Sequence, residues 1–354
     1  MRLICYKARC GDAFHLQYVG ESGKRRNIFL DMGRSMTYTQ VLKDVILNLV
    51  RDSEQIDALF LSHIHDDHIG GARQLIKDIQ TGDMPNTIIG QWVYNAPRKY
   101  VIEQTSKYKY KDGVLCGIVS ADKVYEHIAT NNPYDVKDVI AGQVFEIDGM
   151  KVTILSPDAE RLGRLREKYS NKRPLCKLET NDASVEAGCV SEDYSVPLHK
   201  FNPKRFQEDT NIENASSLAA MFEYAGSRLL WLSDSVPSVI INSLSDLGYS
   251  EIDKNMCDAV LLSHHGSSGN NCYDLLKMIS ASRYVISADG INRHCLPNKE
   301  TVARILASTS ELPVSLFFNY NDGRLMRMFK TDEPDKVKSL LDLHYLNDGE
   351  IIEI

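Results

Sequence analysis

Short runs of β-branched, aliphatic and aromatic residues recur along the chain and alternate with stretches in which apolar residues return every three or four positions. The first pattern predicts strands at 2–8, 14–19, 27–31, 57–62, 88–94, 150–155, 217–224, 228–233, 258–262, 283–288 and 314–319. The second predicts helices over 38–51, 71–79, 237–247, 272–280 and 298–308, with Val41, Val45, Ile46 and Leu49 showing the spacing. Alternation of the two is the mark of a layered α/β architecture. Two stretches break the rhythm. Residues 160–213 are polar, carry Arg161, Arg164, Arg166, Lys168, Lys172, Arg173 and Lys177, and read as an active-site lid or a partly disordered insertion. Arg98-Lys99-Tyr100 and Lys107-Tyr108-Lys109-Tyr110-Lys111 interleave bases with aromatics as single-strand binders do, although a solvated amphipathic face is the simpler account. The domain organisation expected is a body over 1–330, with an insertion or lid at about 95–213, and an extension over 331–354 packed on the same body.

Composition narrows the class. With 354 residues, 43% hydrophobic and 25% charged, the chain has the make-up of a globular protein with a sizeable core. A net charge of −7 argues against a protein that coats nucleic acid, though not against a nuclease whose metals bring local positive charge. No apolar run approaches a membrane span and the first residues lack a signal peptide's apolar core, so the expectation is a cytoplasmic protein without membrane association. The eight cysteines (Cys5, Cys10, Cys116, Cys176, Cys189, Cys257, Cys272 and Cys295) form no Cys-x-x-Cys pair and read as free thiols.

The chemistry concentrates where the predicted strand 57–62 runs into His63-Ile64-His65-Asp66-Asp67-His68-Ile69-Gly70-Gly71. Imidazoles and a carboxylate crowded at a strand's end suit an ion that accepts nitrogen and oxygen ligands, such as zinc. His63 and His65 are two apart, so an extended segment turns both the same way, and Asp67 and His68 then face a second ion. Asp66 is left as a solvated side chain, and His15, His127 and His344 lack partners at ligand spacing.

His-x-His-x-Asp-His at a strand–helix junction resembles the defining motif of the metallo-β-lactamase superfamily, which implies a four-layer αββα sandwich and a dinuclear metal centre. Ile28-Phe29-Leu30-Asp31-Met32-Gly33 resembles the family's first motif, whose aspartate braces a metal ligand from behind. Arg228-Leu229-Leu230-Trp231-Leu232-Ser233-Asp234 resembles the strand ending in the bridging aspartate. Gly11-Asp12-Ala13-Phe14, Asn214-Ala215-Ser216-Ser217-Leu218 and Ser263-His264-His265-Gly266-Ser267 are similar to the branch holding the hydrolase domain of ComEC-type DNA-uptake proteins and bacterial phosphorylcholine esterases. That likeness implies a stand-alone bacterial enzyme acting on phosphodiesters, and it also points weakly to antiphage systems. The family's Gly-His-Thr segment is missing, and Glu213-Asn214-Ala215-Ser216 stands there, so Asn214, water or substrate is left to fill one position beside His63, His65 and Asp234. His199 is an alternative from the insertion, and His294 sits where relatives place the last ligand, two residues further from the following proline than usual.

The resemblance thus implies His63, His65, Asp67, His68, Asp234 and His294 as metal ligands, catalytic roles for Asp67, His264 and His265, and Asp31, Asn214 and Ser217 behind the ligands or against substrate. The cofactors implied are two divalent ions, zinc, with manganese as an alternative at one site. Two ions about 3.5–4 Å apart share a bridging water and lower its pKa from about 15.7 toward about 7, making hydroxide the nucleophile. His264 or His265 would neutralise charge on the phosphoryl oxygens. The expected activity is a phosphodiesterase or nuclease. An ester, lactone or amide hydrolase and a non-catalytic regulatory member remain open, as does a homodimer or an operon partner.

Overall fold

In the computed structural model, which describes residues 1–99, 117–170, 188–292, 294–321 and 323–354, alternate residues of each strand enter different apolar layers. Leu3, Cys5, Leu16, Ile28, Leu30 and Phe60 pack against Val152, Ile154, Phe222, Leu229 and Trp231, whereas their neighbours Ile4, Phe29, Leu59 and Leu61 turn to a helix layer. Six strands make the first sheet. β1 (Arg2–Cys5), β2 (Phe14–Val19), β3 (Arg25–Leu30), β4 (Ala58–Leu61) and β5 (Trp92–Tyr94) follow one another across it. Eight make the second: β6 (Val144–Ile147), β7 (Met150–Ser156), β8 (Ala219–Tyr224), β9 (Ser227–Trp231), β11 (Ala259–Leu261), β13 (Arg283–Ile286), β14 (Val314–Phe318) and β15 (Leu341–Tyr345). β10 (Asn255–Cys257) and β12 (Ile279–Ala281) form a separate parallel pair, and β16 (Glu350–Glu353) closes the first sheet beside β1.

Helices α1 (Lys43–Arg51), α2 (Asp66–Thr81) and α3 (Gly117–Asn131) cover the first sheet through Ile46, Ile69, Leu75, Val119 and Val124. α5 (Pro237–Asp246) and α6 (Lys299–Ser308) cover the second through Ile240, Leu244, Val302 and Ile305. The layer order is therefore helix, sheet, sheet, helix, as the resemblance implies. α4 (Ala159–Tyr169) and α7 (Pro334–Leu340) complete the longer helices. After α7 the chain enters the second sheet as β15 and the first as β16, so the last residues hold both sheets together at one end.

Several expectations change. Within 95–213 the strand expected at 150–155 forms as β7, and the described part also holds α3, β6 and, inside the polar stretch from 160, α4. Helix α4 hides in sequence because its buried stripe is only Leu162 and Leu165 among nine polar or small neighbours. The helix expected over 272–280 stops at Lys277, because Ile279–Ala281 pairs with Asn255–Cys257 instead. Arg98 is no surface base. It is buried and donates through Nε to Asp122 Oδ1 at 2.7 Å, while Arg166 pairs with Asp138 and Lys168 with Glu213. Tyr100, residues 107–111, Lys172, Arg173, Lys177, Cys116 and Cys176 lie outside the described residues. No helix among the described residues is long and apolar enough to cross a membrane.

The free-thiol expectation is corrected for one pair: Cys189 and Cys295 are disulfide-bonded with Cα atoms 4.9 Å apart, while Cys5, Cys10, Cys257 and Cys272 are free and buried. A separation of 106 residues with no motif at either end leaves nothing in sequence to reveal the pairing. Peptide mapping without reductant is expected to recover the Cys189 and Cys295 peptides linked, and Cys295→Ser to cost about 2–4 kcal/mol of stability. Unlinked peptides would remove this tie.

His15 and His127 are structural. His127 packs on Trp92. His15 stacks on Phe29, with Nε2 3.0 Å from Asn27 Oδ1, and burial lowers its pKa to about 4. A base whose folded pKa lies below its unfolded value gives stability that is present above the unfolded value and is lost as pH falls toward the folded one. Between pH 7 and pH 5 the native state is expected to lose about 2 kcal/mol through this group. Denaturant titrations should show that loss in the wild type and a flatter pH dependence in His15→Gln. Equal slopes would exclude His15 as the source.

Candidate metal centre

Strand β4 is buried along its whole length between β3 and β5, and it delivers its next residues to the sheet's C-terminal edge. His65 keeps extended backbone (φ −66°, ψ 141°), and α2 begins at Asp66, so Asp67 and His68 lie in the first helical turn, where the positive end of the helix favours a carboxylate. The helix approaches closely because Gly71 has no side chain. A Cβ there would sit 2.2 Å from Met32 O, and one on Gly11 would sit 2.0 Å from Asp67 O.

Four imidazoles converge on one carboxylate. Asp234 follows β9 by way of Leu232 and Ser233. Its Oδ1 is 3.5 Å from His68 Nε2 and 3.9 Å from His265 Nε2, and its Oδ2 is 3.7 Å from His63 Nε2 and 3.6 Å from His264 Nε2. Each ring is held from behind through Nδ1. His68 donates to Asp31 Oδ2 at 2.8 Å and His265 to the Ser287 carbonyl at 3.0 Å. The Ser62 hydroxyl donates to Asp31 Oδ2 at 2.6 Å, so its oxygen is left to accept from His63 Nδ1 at 3.0 Å. With Nδ1 of these three rings bound from behind, Nε2 is the nitrogen turned to Asp234 and open to a metal once it is deprotonated. His65 instead turns Nδ1 to His63 Nε2 at 2.9 Å.

The donor atoms gather into clusters of groups within 4.8 Å of one another: His63, His65 and Asp234; Asp67, His68 and His265; and Asp12, His68 and Asp234. Ligand set and chemistry fit divalent metal binding. Among the described residues, His68 Nε2, His265 Nε2 and Asp234 Oδ1 are buried with no hydrogen-bond partner, a costly arrangement that a cation between them removes. Nitrogen and oxygen donors with no thiolate in the clusters suit zinc, and manganese where carboxylates dominate.

Charges within the cluster are strongly coupled. Burial and the neighbouring imidazoles push His63 well below its ordinary pKa. Burial opposes the charge on His68, but Asp234 and Asp31 hold it well above. Asp67 is pulled down by the imidazoles of His68 and His265 and by Arg34, against its burial. His264, despite burial, is raised to about 9 by Asp234, Asp209 and Asn270. Ions entering the site would displace these protons.

The metallo-beta-lactamase superfamily model matches residues 16–143, from β2 through the His63–His68 cluster to the loop before β6. The fold is that of the metallo-beta-lactamase superfamily. Comparison with curated protein sequences gives no match. Among solved structures, the metallo-β-lactamase-fold chain is similar to Zn(2+)-bound PqqB from Methylobacterium extorquens, at 13% identity and TM-score 0.45 over 100% of both chains. It is also similar to the metallo-β-lactamase fold protein YhfI from Bacillus subtilis, at 13% identity and TM-score 0.41 over 100% of this chain and 99% of that one. A diphosphatase from the PhnP family aligns at 12% identity and TM-score 0.41, over 100% of this chain and 98% of that one.

Within this metallo-β-lactamase fold, the structure brings together His63, His65, Asp67, His68, Asp234, His264 and His265, with Asp31 directly behind His68. His294 joins none of the clusters. It is exposed, its ring centre lies 6.2 Å from that of His264, and His265 takes the place expected of it beside Asp67 and His68. The reason is the turn after β11. His264, His265 and Gly266 all adopt positive φ (46°, 55° and 79°), so the chain folds back and sends His265 inward.

His199 lines a cavity formed with Ala303 and Leu340, away from the clusters. Asn214 donates through Nδ2 to Asp209 Oδ2 at 2.7 Å, and its buried Oδ1 has no hydrogen-bond partner, as is also true of the Ser217 hydroxyl. Asp66 is half-buried rather than solvated, with the Ser120 hydroxyl 3.4 Å from Oδ1. Three site residues, Asp12, Asp209 and Asn270, were given no role from the sequence. Asp12 lies 3.3 Å from His265 Nδ1, and its signal was the Gly11-Asp12 pair; Asp209 had no signal at all.

Proposed function

We propose that the protein is a dinuclear metal-dependent hydrolase of phosphodiesters, nucleic acid among them, belonging to the ComEC-type and phosphorylcholine-esterase-like branch. The observation that carries this reading is the single Asp234 carboxylate, with one oxygen facing His68 and His265 and the other facing His63 and His264. His63, His65 and Asp234 would hold one divalent ion, and Asp67, His68 and His265, with Asp234 shared, the other. Such ions, when bound, act as Lewis acids and make hydroxide available near neutral pH.

The chain's own groups supply the rest. His264 is the most accessible of the four converging imidazoles, its side chain 17% exposed against 3% for His265, so it is the one placed to meet a substrate from solvent. A cationic donor there opposes negative charge on phosphoryl oxygens, which a phosphodiester carries before as well as during reaction. Asp67 presents its carboxylate from the helix start toward the same space. The three branch-like segments, remote in sequence, also meet here: Asp12 against His265, and Asn214 with its Nδ2 3.4 Å from His264 Nδ1.

Metal-loaded protein is expected to hydrolyse bis(p-nitrophenyl) phosphate and to cut at least one of single-stranded DNA, double-stranded DNA and RNA. His65→Ala should lower the rate by more than the roughly 10–100-fold that loss of an outer partner costs. Silence across the whole panel sinks the proposal. Turnover of lactones, thioesters or amides with polynucleotides left intact would replace it with the small-molecule hydrolase.

A further inference from the structure

Asp209 belongs to none of the motifs and to none of the three donor clusters, yet it is the hub behind His264. Its N–H donates to Gly269 O at 3.0 Å, and its Oδ1 accepts from Asn211 N at 2.9 Å. Its Oδ2 accepts from Asn214 Nδ2 at 2.7 Å and from Asn270 Nδ2 at 3.3 Å, and lies 3.5 Å from His264 Nδ1. Asn270 Nδ2 also faces the carbonyls of Asp234 at 3.2 Å and Ser235 at 3.3 Å. Three acceptors around that nitrogen fix the amide's orientation, so Asn270 Oδ1 is the atom 2.9 Å from His264 Nδ1. His264 Nδ1 must then carry a proton, and Nε2 is the atom turned to Asp234 Oδ2. The ring needs such support because its backbone sits in the left-handed region (φ 46°, ψ 56°), which a non-glycine residue keeps only when its surroundings hold it there.

We propose that Asp209 is a positioning residue that, with Asn214 and Asn270, fixes the His264 ring so that Nε2 faces the space beside Asp234 where the phosphodiester reacts. This rests on the phosphodiesterase reading of the site. Asp209 itself does not touch substrate; it acts through His264.

A double-mutant cycle on the full-length, metal-loaded chain tests it, with bis(p-nitrophenyl) phosphate as substrate. Asp209→Ala is expected to lower kcat by roughly 10–100-fold with KM nearly unchanged and metal content retained, and Asp209→Asn to recover part of the loss. Asp209→Ala combined with His264→Ala should be no slower than His264→Ala alone, because groups acting as one unit do not add. Additive losses, or no loss in Asp209→Ala, overturn the proposal. Nitrogen NMR of histidine-labelled wild type and Asp209→Asn, without metal, gives a second readout. In the wild type His264 Nδ1 should stay protonated whether the ring is neutral or charged, and in the variant this preference should weaken. A wild-type ring protonated only at Nε2 overturns the proposal even if Asp209→Ala does not fold. Wild-type protein inert toward phosphodiesters but showing the Nδ1 signature would instead count against the function, leaving the positioning intact.

Discussion

Asp234→Ala is expected to take the protein from about two bound divalent ions per chain to fewer than one and to abolish measurable phosphodiester turnover. No other replacement removes so much at once. His63, His68, His264 and His265 all direct Nε2 at this carboxylate within 3.5–3.9 Å, and it belongs to two of the three donor clusters. Without it the facing imidazoles lose the anion that gathers them, and cations between them would rest mainly on neutral nitrogen. The rate should fall by more than the 10²–10³-fold that loss of one preorganised electrostatic contact costs. Metal analysis by mass spectrometry after dialysis, beside the substrate assay, reads both effects. Retention of two ions by Asp234→Ala would refute the bridging arrangement.

Asp31→Ala should produce the largest loss of stability, on the order of 3–5 kcal/mol, as when one partner of a buried charged pair is removed. Asp31 is fully buried and accepts from Ser62 N at 2.7 Å, the Ser62 hydroxyl at 2.6 Å and His68 Nδ1 at 2.8 Å. Alanine leaves those donors inside the protein with nothing to bond. It also releases His68 and, through Ser62, His63, so the affinity for metal should drop with the stability. Asp31→Asn is the informative comparison. Asparagine tolerates the positive φ of 57° found here and keeps an acceptor, but places an N–H where an oxygen now accepts, so it should fall between wild type and alanine. Denaturant unfolding of the metal-free proteins gives the order directly, and an alanine variant as stable as the wild type would show that the bracing is dispensable.

Much of the site was legible because its residues are local. His63, His65, Asp67 and His68 lie within six positions after one buried strand, so strand geometry and a helix start suffice to aim them. Asp31 and Asp234 were legible only through the resemblance to family motifs, for they follow β3 in the first sheet and β9 in the second, and no pattern within either strand says that the two ends meet. His294 lies outside the donor clusters, while the turn 263–266, with three consecutive residues at positive φ, carries His265 inward. Propensity gives no warning of such a turn when two of its residues are histidines. Arg98 looked like a surface base until Asp122, 24 residues on, neutralised it in the interior.

What the sequence determined by itself is the part written in short-range periodicity: the alternating strands that make a two-sided core, the helical stripes that cover them, and the histidine cluster where one strand meets one helix. Tertiary structure alone decided which remote groups complete that cluster. Asp12, Asp209 and Asn270 come from three separate segments and meet around Asp234 and its histidines only after both sheets have packed. The same holds for Cys189 and Cys295, and for the terminal strand beside β1. The physical reason is common to all of them. A period reports which face of its own element a side chain takes, but contacts between distant elements depend on how their layers stack and where their loops return, and no local pattern encodes that distance.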